Sequence, residues 1–333
     1  MPTADPFWCD APAAGAGALT RRAFLAAGAL LTACTCAPLA ASQAGTRLPP
    51  IPLDGRLRSL GGFEIDAARI GAANLSGIHL DDDLVATMVD DRGRWAQARI
   101  ELHDGRAHRL LPIAAGPLRD GAGRPLPRGR SADAESITRL PDGTWLVGYE
   151  RWHRIRAYRQ LDGPGAYVDA PPGLDRAPIN GGLEGLTLLA DGRLLALTEE
   201  LPAPGQPALR QGWIGRPGRW MPVAWQPEPG FVPTDVAGLP DGGALVLERR
   251  FTWLTGFAAR VAVLPAAMLR AAREGSVLRG ETVLRLDGDP LPAENWEGVA
   301  AARHGGRTIV ALVADDNGSA IQRSLMLLFE WRG

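Results

Sequence analysis

Carboxylates recur at one phase of a repeated pattern in this chain. Residues 182–200 read GLEGLTLLADGRLLALTEE: Glu184 stands before a glycine, an apolar run leads to Asp191-Gly192, and a second apolar run ends on Glu199-Glu200. Residues 133–151 repeat this with Glu135, Asp142-Gly143 and Glu150. Residues 235–250 offer Asp235, Asp241-Gly242 and Glu248, and residues 296–317 offer Glu297, His304-Gly305-Gly306 and Asp315. A weaker copy at 74–91 has Ser76 in the opening place and Asp90-Asp91 at the close. Carboxylates brought together repel one another unless something positive sits among them. The chemistry such a set suits is capture of a hard cation such as Ca²⁺, which prefers several oxygen ligands. The expected ligands are Glu135, Glu150, Glu184, Asp235, Glu248, Glu297 and Asp315. Arginines that directly follow closing acids, Arg151, Arg249 and Arg250, are the competing source of positive charge. Acids that only cap strands or pair with these arginines remain the plain alternative.

Each copy has the form of a β-hairpin. Asp-Gly between two apolar runs marks a tight turn, because glycine tolerates the positive φ the turn needs. The hairpin returns the chain to its start, so opening and closing acids share one end. Opening-to-closing separations are 14 (76 to 90), 15 (135 to 150), 15 (184 to 199), 13 (235 to 248) and 18 (297 to 315). Hairpins recurring every 49 to 62 residues predict an all-β chain folded as a β-propeller of five blades. The long excursions at 92–130 and 200–232 are material for a sixth blade. The runs 56–66 and 324–331 read as strands, and pairing them closes the ring and removes an open sheet edge. In a propeller the first strand of each blade lines the central channel, so the acids should ring one mouth of it. An antiparallel sandwich also has Asp-Gly turns, but it does not need an acid at one phase of each unit.

The first 44 residues read as an export segment, not as fold. Thr20-Arg21-Arg22-Ala23-Phe24-Leu25 followed by a small apolar run is a twin-arginine signal, too short and alanine-rich for a membrane span. Ser42-Gln43-Ala44 offers a peptidase site, leaving 45–333 as one soluble domain in the periplasm or outside the cell. Leu31-Thr32-Ala33-Cys34 offers a lipobox instead, which would anchor the protein at Cys34. All three cysteines, Cys9, Cys34 and Cys36, precede residue 45, so a domain beginning there has no thiolate or disulfide.

A net charge of −1 gives no reason to expect nucleic acid or an anionic membrane as a partner, and a monomer acting on a small molecule is the expectation. The chain has no lysine, so apart from histidine its side-chain cations are the fork-shaped guanidinium groups of arginine. There is no GxSxG nucleophile elbow and no HExxH among the five histidines. His153, Trp152 and Trp253 lie within reach of closing acids and are candidates for the wall of the mouth.

The segments DAES…LPDG…YER, LEGL…DGRLLALTEE, DVAGLPDGGALVLERRFTWLTGFAARV and NWEGVA…LVADDN resemble the bacterial phytase-like domain, "esterase-like activity of phytase", over roughly 58 to 331. The resemblance implies an exported propeller related in name to calcium-dependent phytases; it brings no catalytic residue set with it. Ser76 and the His-Gly-Gly turn depart from the pattern, and Ser76 leaves the ring of acids incomplete. The expected activity is metal-dependent hydrolysis of a phosphate ester. Glu184 or Glu199 would activate water, and Arg151, Arg249 and Arg250 would hold the phosphate oxygens. A lactonase or carboxyl esterase on the same ring, and a propeller that only binds, are the rival expectations.

Overall fold

The computed structural model describes residues 43–319 and 322–333. The twin arginine, the lipobox and Cys34 lie outside the described residues, and of the expected leader only Gln43 and Ala44 fall within them. Ala44 is fully buried. Its N–H donates to the Leu110 carbonyl at 2.8 Å, and its own carbonyl accepts from the Asp66 N–H at 2.9 Å. Among the described residues no helix is long and apolar enough to cross a membrane.

Alternation of apolar and polar residues between glycine turns yields five antiparallel sheets, in the order the repeats predict. The first runs outward through Leu75–Leu80, Val85–Asp90, Arg94–His103 and Arg106–Pro117. The second comprises Ala134–Arg139, Trp145–Tyr149, Arg154–Tyr158 and Ala166–Val168. The third has Leu183–Leu188, Leu194–Ala203, Gln206–Arg216 and Arg219–Trp225, with the short strand Val277–Leu278 laid parallel on its outside. The fourth has Val232–Gly238, Ala244–Thr252, Gly256–Leu264 and Glu281–Leu286. The fifth begins with Asn295–His304 and Arg307–Asp315, continues with the C-terminal strand Leu325–Trp331, and is completed by Leu57–Ile65 and Gly45–Leu48.

The five innermost strands pack first on second, second on third and so round to fifth on first, which closes a five-bladed β-propeller. Closure is by the expected pairing of the two chain ends, with Leu57 opposite Trp331 and Glu64 opposite Leu325. The excursions offered as material for a sixth blade supply outer strands instead: Arg94–Pro117 completes the first sheet and Gln206–Trp225 the third. The short helix at Ala266–Ala271 sits between the third and fourth strands of the fourth blade.

The core lies between blades, where apolar faces of successive sheets meet. Trp213, Trp225 and Trp296 are fully buried there. The Asp-Gly turns have the expected geometry: φ is +88° at Gly143, +79° at Gly192 and +93° at Gly242. In each turn the aspartate Oδ1 accepts the backbone N–H two residues on, as Asp191 does from Arg193 at 3.0 Å.

Every inner strand carries a β-bulge at its start, opposite its partner strand: at Ser76, Glu135, Glu184, Thr234 and Glu297. In four blades the extra residue is turned toward the channel mouth, whereas Thr234 donates to the Trp296 carbonyl at 3.2 Å; the residue after each bulge presses on the next inner strand. At Gly77 an added Cβ would stand 2.6 Å from the Glu135 carbonyl oxygen and 2.9 Å from the Ser136 Cα, both backbone atoms that cannot step aside. The substitution Gly77→Ala should therefore cost about 1–3 kcal/mol of stability. Denaturant unfolding measures this, and an unchanged midpoint would mean that the inner strands are not packed this closely.

The acidic mouth of the channel

The bulges and the residues just past the second strands converge on a cavity of about 300 Å³ at one end of the channel. From the bulges come Glu135, Glu184, Glu297 and Ser76; from the closing positions come Asp91, Glu150, Glu199, Asp315 and Arg249. Asp133 and Arg151 complete the charged lining, so eight carboxyl groups face two guanidinium groups. Such crowding is a matter of register: one bulged residue per blade, each at the same height on the channel wall.

Two expected ligands, Asp235 and Glu248, and the closing acid Asp90 are not among the lining residues, each for the same reason. Asp235 follows the bulge of the fourth blade, where Thr234 is the extra residue. Its carboxylate accepts the backbone N–H of Val236 at 2.7 Å and of Val299, on the neighbouring inner strand, at 2.8 Å. Where other blades have a glycine or serine for close approach, this one has a carboxylate pinning two strands together. Glu248 lies one residue short of the closing position, so its side chain points into the blade. There it is fully buried, pairs with Arg260 Nε, and accepts from Trp225 Nε1 at 2.5 Å. Asp90 likewise accepts backbone N–H groups of Arg92 and Arg94, while Asp91 lines the cavity. The signal was in the spacing. Counted by the bulges, four copies share a separation of 15: 76 to 91, 135 to 150, 184 to 199 and 234 to 249. The separations of 14, closing on Asp90, and 13, between Asp235 and Glu248, belong to the two copies whose acids lie out of phase with the bulges.

The expected anion-holding arginines part company. Arg249 crosses the mouth, with Nη2 on Glu199 at 3.1 Å and Nη1 on Glu297 and Asn295. Arg151, on the cavity wall, is held through Nε, 2.7 Å from Asp133 and 3.2 Å from Asn180 Oδ1, contacts that do not use its terminal nitrogens. Arg250 lines a neighbouring cleft and lies over the Phe231 ring at 4.9 Å. Asn74, Arg151 and Asn317, all on the cavity wall, adopt positive φ (+58°, +53° and +52°). For an arginine this costs on the order of 1–2 kcal/mol and persists because its contacts hold it.

His153 does not line the cavity; its Nε2 is 3.2 Å from the Ala177 carbonyl and its ring backs on Gly182. Trp152 is half exposed and tilted against Tyr167, and Trp253 is almost fully exposed at the tip of the hairpin joining the second and third strands of the fourth blade.

Burial and mutual repulsion push every carboxyl of the mouth upward. Burial and the charges of Glu135, Glu199 and Glu150 hold Glu184 well above the ordinary glutamate range. Burial, then Asp133 and Glu150, does the same to Glu135. Burial outweighs Arg249 at Glu199, which rises to about 7, and burial takes Asp315 to about 7 and Asp91 to about 6. Asp133, Glu150 and Glu297 are raised as well, chiefly by burial. Two trios are close enough to share an ion, their oxygens within 4.8 Å of one another: Asp133, Glu135 and Glu150, and Glu150, Glu184 and Glu199. Among the described residues, Glu184 Oε1 and Asp315 Oδ1 are buried without a hydrogen-bond partner. An all-oxygen donor set with orphaned oxygens fits a hard cation such as Ca²⁺.

A family model described as Phytase-like, "esterase-like activity of phytase", matches residues 70–318. No curated protein matches the chain in sequence. Among solved structures the chain is similar to the gluconolactonase XC5397 of Xanthomonas campestris, at 13% identity over 87% of this chain and 99% of that one, with a TM-score of 0.43. It is also similar to the PQQ-bound aldose sugar dehydrogenase of Streptomyces coelicolor (14% identity, 84% and 99% covered, TM-score 0.41). A third is the virginiamycin B lyase of Staphylococcus aureus (12%, 72% and 80%, TM-score 0.38). Likeness at this level says nothing of the reaction.

The raised carboxyls have a consequence for stability. Each binds its proton more tightly folded than unfolded, so its contribution is fully present below its ordinary value, 4.5 for Glu or 3.8 for Asp, and is lost as pH climbs through the folded value, about 7 for Glu199 and Asp315. His79, held down to about 4 by burial, opposes this below its ordinary 6.5, one group against eight. In chelator, the protein should melt at a higher temperature at pH 6 than at pH 8. Equal melting, or a higher value at pH 8, would mean that the mouth is already neutralised by its own arginines.

Proposed function

Because the chain belongs to the phytase-like family, we propose that the acidic mouth is a calcium-dependent hydrolytic site for a phosphate ester. The observation that carries the reading is the imbalance around one cavity, eight carboxyls against two guanidiniums, with Glu184 Oε1 buried and unpaired. Asp133, Glu135 and Glu150 would hold the ion, with Asp315 and Glu297 across the cavity. When bound it supplies positive charge that neutralises and polarises the phosphoryl group.

The remaining work falls to the chain. Arg151 donates to the phosphate oxygens from its terminal nitrogens, in the planar fork suited to that group. Arg249 stays bound to Glu199 and Glu297 and positions both. Glu199, titrating close to neutrality, accepts the proton of the attacking water as its oxygen bonds to phosphorus. Glu184, kept protonated by burial and its neighbours, delivers a proton to the departing alcohol oxygen as the phosphorus–oxygen ester bond breaks. The products are the alcohol and inorganic phosphate, and proton exchange between the two carboxyls and solvent resets the site. Export through the segment at Thr20–Leu25 puts this chemistry outside the cytoplasm, in a soluble domain or one anchored at Cys34.

Calcium-loaded protein should hydrolyse 4-nitrophenyl phosphate, and Glu199→Gln should lower kcat by about 100-fold or more while leaving KM within a few-fold. Activity no greater than that of Glu199→Gln contradicts the phosphoesterase reading. Turnover of a lactone or carboxyl ester in its place would move the reaction to a carbonyl.

A further inference from the structure

The hairpins joining second to third strands are long in the third and fourth blades, running Leu194–Arg216 and Ala244–Leu264. Both project past the mouth. Between them lies a second cavity of about 430 Å³, and Glu199, Arg249 and Asn317 line both it and the acidic mouth. One ligand can therefore occupy the two at once.

The chemistry of this cleft differs from that of the mouth. Phe251, Phe257 and Val232 form an apolar wall. Phe251 stays half exposed, with Phe257 tilted against it at 4.8 Å between centroids and Trp253 edge-on at 5.4 Å. A solvent-facing aromatic already packed at its edges offers its free face to another ring. Arg250 lines the same cleft, and its Nε is buried without an acceptor among the described residues. A buried N–H left unpaired costs free energy that a ligand oxygen recovers. The volume is that of a small-molecule subsite.

We propose that this cleft is a subsite for an aromatic group of the substrate, making the substrate an aryl ester whose ring lies on Phe251 and whose nearby oxygen accepts from Arg250. The proposal rests on the mouth being the reactive site. It adds a selectivity that the mouth does not supply, since the carboxylates and Arg151 recognise a charged head and nothing of what it is attached to. Glu200 and Asn295, also on the lining, leave the cleft polar at its edge, which suits a ring bearing oxygen substituents over a long alkyl chain.

The test is calorimetric binding of phenylphosphonate and methylphosphonate, neither a hydrolysable ester, to the calcium-loaded full chain and its Phe251→Ala variant, with melting as a check on folding. A half-exposed residue is expected to leave the fold intact. Phenylphosphonate should bind the wild type about ten-fold more tightly than methylphosphonate, and the advantage should vanish in the variant. Equal affinities in the wild type, or an advantage that survives Phe251→Ala, overturns the subsite. If neither phosphonate binds, the mouth has failed as an anion site and the cleft is judged alone with 2-naphthol, followed by saturation-transfer NMR. Binding lost in Phe251→Ala upholds the subsite without the phosphate reading, and binding absent or unchanged overturns it.

Discussion

Repulsion among carboxylates on one axis is the constraint that organises this molecule. A five-bladed ring brings equivalent residues of every blade to the same height on the channel, so any acid at the bulge position meets its copies at close quarters. Three bulges and four closing positions carry acids, and Asp133 adds another. The protein answers with a single crossing guanidinium, Arg249, and a strained one, Arg151. Two cations do not balance eight carboxyls, four of them buried, and their proton affinities rise together. Clusters of titratable groups pushed away from their ordinary values are what functional sites look like.

The blade architecture sets what can vary around this ring. The inner strands leave no room: Gly77, Gly185 and Gly298 follow their bulges because a neighbouring inner strand lies against them. Asp235 takes that place in the fourth blade only by bonding two backbone N–H groups. The second-to-third strand hairpins have no such restriction, and in the third and fourth blades they grow past the mouth into walls. The proposed chemistry at the ring and the proposed selectivity at the hairpins thus sit on different parts of the same repeat.

Most of the fold was legible in the sequence because Asp-Gly turns, period-two alternation and a recurring acid each report on local geometry. The closing pair, Leu57–Ile65 with Leu325–Trp331, was legible because an unpaired edge strand at each chain end demands a partner. The site was legible only to within one residue in the first and fourth blades. A β-bulge shifts which side chain faces the channel, and nothing in the residue types announces that Thr234, and not Asp235, is the extra one. Phase, not charge, decides which side chain faces the ring: the spacing of 15 shared by four copies assigns Arg249 and Asp91 to it and sends Glu248 and Asp90 inward. The partition of the arginines was not legible, because it depends on which acids lie across the channel from them. Neither was the cleft under Phe251, which takes form only when two hairpins from successive blades stand side by side.

The most direct test of the central claim is a calorimetric titration of calcium into chelator-stripped protein at pH 8, alongside Glu150→Gln, since Glu150 belongs to both trios of convergent oxygens. The account predicts binding with a Kd of about 10⁻⁵ M or tighter. That binding should weaken by more than about ten-fold in the variant, together with a calcium-dependent rise in melting temperature that the variant loses. Absence of binding heat in the wild type, or binding that Glu150→Gln leaves unchanged, would contradict the assignment of the mouth as a cation site.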